Sequence, residues 1–156
     1  MPVIDKKDLV PKTGSGYPEP FSALGRYTAL PLSDAGRLTQ FGVFFETLDA
    51  GSFSSQRHWH EEEDEFLYML SGEVTLIEDD AEYILRPGDA ATWKAGVPNG
   101  HHLHNRSGAT ATYLLVGSRK ADDACHYPDI DLHFRRKDGT SSFFHKDGTP
   151  YPKRAP

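Results

Sequence analysis

His58 and His60, separated by Trp59, are followed by Glu65 and Gly72, and a second histidine cluster, His101, His102 and His104, lies further along the chain. Imidazole nitrogens and a carboxylate are donors that can hold Mn, Fe, Co, Ni or Zn, with geometry and supply deciding which metal binds. Three neutral imidazoles and one carboxylate leave a divalent ion one net positive charge. They also leave it an open position for a bidentate oxygen ligand such as a hydroxy-carbonyl compound.

Such donors must come from elements that aim them at one point. Side chains alternate faces along a strand, so His58 and His60 share one side with Trp59 opposite. After the acidic run Glu61, Glu62, Glu63 and Asp64, the next strand can return the Glu65 carboxylate to the same place, with Leu67 and Met69 on the same inward face. The run itself reads as a solvated turn. In the second cluster, alternation puts His101, Leu103 and Asn105 on one face and His102 and His104 on the other, and the pattern alone leaves open which face looks inward. Leu103 as apolar lining, and a Gly96-Val97-Pro98-Asn99-Gly100 turn ending just before His101, favour His101. His102 and His104 then read as surface or sheet-packing residues.

Short runs rich in β-branched and aromatic residues surround these positions: 41–48, 65–70, 73–77, 82–85, 90–93, 101–105 and 110–116. Gly51, Gly72, Pro87-Gly88, the 96–100 turn and Ser107-Gly108 separate them. This spacing predicts an all-β sandwich or small barrel, and helical periodicity is absent from the central region. Residues 1–25, rich in Pro, Gly and charge, read as an irregular arm. Lys137-Asp138-Gly139-Thr140 recurs as Lys146-Asp147-Gly148-Thr149, and the Asp-Gly pairs predict a C-terminal hairpin. Phe41, Phe44, Phe45, Phe66, Tyr68, Tyr83, Trp93 and Tyr113 read as core and sheet-packing groups.

With 156 residues, 37% hydrophobic and 26% charged, the chain fits one globular domain, and no apolar run approaches a membrane span. A net charge of −6 with scattered lysine and arginine argues against nucleic acid as a main partner. The charged start, with no visible secretory signal, and the single Cys125, which can form no internal disulfide, are what a reducing cytoplasm would hold. Cys125 itself reads as a passive packing residue.

Together these residues give the chain a resemblance to the cupin superfamily. Its first motif, G(X)5HXH(X)3,4E(X)6G, is followed by Gly51, His58, His60, Glu65 and Gly72, with six residues instead of five between Gly51 and His58. Its second motif ends in H(X)3N, supplied by His101 and Asn105, while the Gly and Pro positions upstream depart from the pattern. The chain as a whole also looks like small bacterial single-domain cupins that often carry the name sugar phosphate isomerase. The resemblance implies a jelly-roll β-barrel over residues 26–156, with its core at about 40–118. It also implies one divalent metal held by His58, His60, Glu65 and His101, a small-molecule substrate or ligand, and a homodimer.

A fold of this kind serves many chemistries. Lewis-acid isomerisation or lysis of a hydroxy-carbonyl or sugar-phosphate substrate is the leading expectation. Fe(II)-dependent dioxygenation and non-catalytic ligand binding are the alternatives. An isomerase needs a second titratable group near the substrate. Glu46, Tyr68, His102 and His104 are conceivable, and no spacing singles one out. Arg57, Lys94 and Arg106 are the cations nearest the ligands in sequence that could meet a phosphate.

Overall fold

The structure, a computed structural model, describes residues 3–152, so the first two residues of the expected arm and the last four of the expected barrel domain lie outside the described residues. Its strands are β1 (Lys12–Thr13), β2 (Tyr27–Pro31), β3 (Phe41–Leu48), β4 (Trp59–His60), β5 (Glu65–Ser71), β6 (Val74–Ile77) and β7 (Glu82–Leu85). They continue as β8 (Ala90–Trp93), β9 (His102–His104), β10 (Ala111–Ser118), β11 (Asp123–His126), β12 (His133–Lys137) and β13 (Thr140–Phe144). A 3-10 turn at Lys6–Asp8 precedes β1, and a short α-helix, α1 (Leu32–Ala35), follows β2.

All pairings are antiparallel, in three sheets ordered β1-β2-β3-β10-β5-β8, β13-β12-β11-β4 and β7-β6-β9. This is an all-β jelly-roll barrel. Among the described residues no helix is long and apolar enough to cross a membrane.

Alternation along the strands decides what enters the barrel. On β3, Gly42, Phe44, Glu46 and Leu48 face inward, and the register sets them against Gly117, Leu115, Tyr113 and Ala111 of β10. On β5, Leu67 and Met69 are buried in line with Glu65. One half of the interior is thus an apolar plug of Leu48, Leu67, Met69, Val74, Leu76, Leu85, Leu103 and Tyr113. Burial of this kind is the main stabiliser of a barrel. The β5–β6 turn needs a glycine: Gly72 has φ +74°, and a Cβ there would come within 2.7 Å of Ala111 Cα and Thr110 O.

A second apolar cluster, Cys125, Tyr127 and Leu132, is covered by Tyr17 and Phe21 from the N-terminal segment, by Phe134 and Phe143 from β12 and β13, and by Tyr151 beyond them. The N-terminal segment lies on the barrel. Lys12 and Thr13 pair with β2, and the Gln56 amide donates to the Phe21 carbonyl.

β12 and β13 form a hairpin that turns at Asp138 (φ 47°) and Gly139 (φ 74°), the left-handed pair expected of a tight two-residue turn. The second Asp-Gly closes another turn, which returns Pro150 to a bridge with Phe144.

One expectation is corrected. Phe41, Phe66, Tyr68 and Tyr83 are substantially exposed. On β5 the residues on both faces are apolar, so sequence alternation could not separate inside from outside.

Candidate metal centre

His58 and His101 belong to no named strand, yet they form an isolated antiparallel bridge that exchanges both main-chain hydrogen bonds. Each is thereby fixed opposite the other, with imidazole centroids 5.1 Å apart. His60, two residues on from His58, is held in β4 by pairing with Cys125 of β11. Glu65 opens β5 with Trp93 on one side and Gly117 on the other.

Side-chain atoms of His58, His60 and Glu65 come within 4.8 Å of one another. Glu65 Oε2 is the hub, 2.8 Å from His101 Nε2 and 3.7 Å from His60 Nε2. Donors each about 2.1 Å from one ion stand roughly 3 to 3.5 Å apart, so this spacing suits a shared metal.

The far sides of the His58 and His60 rings support that fit, while the buried His101 Nδ1 has no hydrogen-bond partner among the described residues. His58 Nδ1 is 2.8 Å from the Gln56 carbonyl, and His60 Nδ1 is 2.7 Å from Asp123 Oδ2. An Nδ1–H that donates outward leaves Nε2 with its lone pair for a metal, the usual device for orienting histidine ligands. Trp93 stacks flat on His101 at 3.9 Å between centroids, and Tyr127 stacks on His58 at 5.7 Å.

The electrostatics follow from burial and mutual proximity. Burial drives the His58 pKa down to about 4, which keeps that ring neutral and able to ligate at neutral pH. Burial opposes the charged form of His60 too, but Asp123, Cys125 and Glu65 outweigh it and raise its pKa to about 11, so a metal binding at Nε2 must displace a proton from this ring. Burial works against the Glu65 carboxylate, yet the neighbouring His101, His60 and His58 hold its pKa down to about 2. An anion among imidazoles is the arrangement a cation would complete.

His58 and His60 also line a cavity of about 460 Å³. Around it stand Tyr17, Tyr27, Phe44, Glu46, Cys125 and Tyr127, with Lys12 and Arg136 contributing the charge. The structure therefore brings together His58, His60, Glu65 and His101. It sets His102 and His104 elsewhere: His104 stacks on Phe53 at 4.0 Å, and His102 packs near the same ring and lies 3.0 Å from the Ser55 carbonyl. Asn105, the last residue of the second motif, is fully buried and donates to the Leu48 and Ala109 carbonyls, a structural tie.

Of the conceivable proton-transfer groups, only Glu46 lines this cavity. Tyr68 lies on the outer face. The cations expected near the ligands are also elsewhere. Arg57 is clamped between Asp79 and Asp129, Arg106 pairs with Glu82, and Lys94 is exposed.

Sequence reasoning missed Asp123, which fixes His60, and Cys125, whose Sγ lies 3.2 Å from His60 Nδ1. Both sit on one face of a single strand, and that i, i+2 spacing was the available signal. Asp123 Oδ1 also accepts the Glu62 main-chain N–H at 3.0 Å, so its carboxylate braces the acidic turn as well. Burial raises the Cys125 pKa, keeping the thiol protonated.

The family described as "Cupin domain" matches residues 44–117. Among solved structures, a sugar phosphate isomerase from a cupin superfamily, from Silicibacter pomeroyi DSS-3, is 39% identical, with a TM-score of 0.92 over 97% of each chain. A protein from Acidithiobacillus ferrooxidans ATCC 23270, to which the same activity is provisionally given, is 25% identical, with a TM-score of 0.74 over 83% of this chain and 82% of its own. The polyketide cyclase RemF from Streptomyces resistomycificus shares the fold at 21% identity, with a TM-score of 0.58 over 77% of this chain and 80% of its own. No curated protein matches the sequence.

Proposed function

The chain belongs to the cupin superfamily, and from that premise we propose that it is a metal-dependent enzyme interconverting hydroxy-carbonyl compounds, with a sugar or sugar phosphate as substrate. The observation that carries this reading is the convergence of His58, His60 and His101 on Glu65 beside a cavity of about 460 Å³. In this reading those four residues hold one divalent ion, Mn, Fe, Ni, Co or Zn. Bound there, the ion supplies Lewis acidity toward adjacent carbonyl and hydroxyl oxygens.

The chain's own residues supply the rest. Tyr17, Tyr27 and Tyr127 offer hydroxyls to a polyol, Phe44 excludes water, and Lys12 and Arg136, which pair with Asp34 and Glu63, stand at the same cavity as the cations an anionic substrate would have to recruit. The name of the Silicibacter pomeroyi relative supports a sugar phosphate as the class to try first.

The same reading takes residues 26–156 as one catalytic domain with residues 1–25 as its arm, working in the cytoplasm as a homodimer. A continuous apolar row on the outer face of the large sheet supports the dimer. Leu30, Phe45, Leu114 and Tyr68 are successive register partners across four strands. Val43, Val116 and Phe66 make a second row beside it.

The test is untagged protein reconstituted under nitrogen with each of the five metals and offered pentoses, hexoses and their phosphates. Aldose–ketose interconversion seen by NMR, lost in Glu65→Ala, is the expected result. Oxygen consumption with the iron form alone would replace isomerisation with dioxygenase chemistry. Neither turnover nor thermal stabilisation with any compound would overturn the sugar assignment.

A further inference from the structure

Glu46 is a carboxyl with no cation to explain its burial. It is 3% exposed in the middle of β3, and the groups that act on it are Tyr27, Tyr113 and Glu65. Its Oε1 accepts a hydrogen bond from the Tyr27 hydroxyl at 2.7 Å. Tyr113 stands opposite it in the β3–β10 register, with a buried hydroxyl that has no hydrogen-bond partner of good geometry among the described residues. Glu46 and Tyr27 line the same cavity as His58 and His60. Burying an ionisable carboxyl with no cation beside it is costly, and groups held in such surroundings cluster at functional sites.

Building on the isomerase reading above, we propose that Glu46 is the catalytic residue that moves the proton between the two carbons of an α-hydroxy-carbonyl substrate, with Tyr27 positioning its carboxyl. The carboxylate takes the hydrogen of the hydroxyl-bearing carbon as a proton. The C–H electron pair forms the carbon–carbon double bond of an enediol as the carbonyl oxygen gains a proton from solvent. Glu46 then returns its proton to the former carbonyl carbon, and the other hydroxyl releases a proton to solvent as it becomes the carbonyl. Atoms and charge balance, and no oxidant is needed.

Burial lifts the Glu46 pKa to about 7 despite the opposing Tyr27 hydrogen bond, so both protonation states are accessible near neutrality. That is where a group which must both accept and return a proton works best.

A purely structural Glu46 would only accept the Tyr27 hydrogen bond, which glutamine can also do. The test therefore compares metal-loaded wild type, Glu46→Gln and Glu46→Asp in deuterium oxide. Aldopentose and aldohexose phosphates serve as probes, and NMR follows both exchange at the hydroxyl-bearing carbon and turnover. We expect Glu46→Gln to keep its fold and metal content while exchange and kcat fall at least about a hundredfold at similar KM, with Glu46→Asp retaining a measurable part.

Wild-type exchange matched by Glu46→Gln would overturn this assignment and leave the isomerase reading standing. Wild-type turnover without exchange would overturn the proton-transfer role of Glu46 and leave the isomerase reading standing, and absence of both turnover and exchange with every probe would overturn both. If Glu46→Gln does not fold, the kcat–pH profiles of wild type and Tyr27→Phe decide. Removing the Tyr27 hydrogen bond should raise the pKa of Glu46 and move the near-neutral limb to higher pH. An unmoved limb would reject Glu46.

Discussion

His58 and His101 face one another across an antiparallel bridge whose two main-chain hydrogen bonds measure 3.2 and 2.9 Å. The pair joins the two histidine clusters, so the segment after residue 96 cannot slip by one residue without sending His101 away from Glu65. Such a slip would point His102 inward. In the structure His102 and His104 instead pack beside Phe53.

Asp123→Asn should weaken metal binding about ten- to a hundredfold, because the 2.7 Å contact from Asp123 Oδ2 sets the ring orientation of His60. Competition with a chromogenic chelator measures it. Unchanged affinity would mean that the β4–β11 pairing alone orients His60.

Asp123 also shows where the sequence stopped being legible. His58, His60 and Glu65 could be read from strand alternation, and His101 from its preceding turn and Leu103. Asp123 and Cys125 come from a strand far along the chain whose place beside His60 is a tertiary fact. The long central strands were predicted close to their observed bounds because they alternate and end at turn residues. β2 ends in Pro31, and β4 and β11 are only two and four residues long, which left little periodicity to read.

Asp129→Asn should lower stability at neutral pH by about 1 kcal/mol or less, since the carboxylate side chain is 56% exposed and solvent screens the pair. The Arg57 guanidinium holds the Asp129 pKa below its ordinary 3.8. A depressed folded pKa gives stabilisation that is present above the ordinary value and lost as pH falls through the folded one. The gap between wild type and variant should therefore close in acid. Arg57 also donates to the Gly100 carbonyl at 3.3 Å, so the variant should loosen the turn before His101. Urea unfolding across a pH series checks this, and a gap that widens in acid would contradict it.

Tyr68→Lys should convert the proposed dimer to monomer without unfolding the barrel, because Tyr68 is 40% exposed and lies in the outer apolar row. Placing a charge in that row penalises its burial against a second copy. Sedimentation velocity reads the change. A variant with wild-type mass would show that another surface makes the dimer, and a monomeric wild type would remove the dimer altogether.

His58→Ala and Glu65→Ala should each lose most bound metal while keeping the β circular dichroism spectrum, since neither residue belongs to the apolar plug. His104→Ala should keep its metal. Loss of the β spectrum together with the metal would instead make the cluster a folding requirement.

The most direct measurement is metal content per chain, by elemental analysis, of untagged protein purified under nitrogen without chelator, alongside His101→Ala and His104→Ala. Four converging ligands predict close to one equivalent of a divalent transition metal in wild type and His104→Ala, and far less in His101→Ala. Wild type well below one equivalent that reconstitution cannot restore, or metal stripped by His104→Ala and retained by His101→Ala, would contradict the proposed centre.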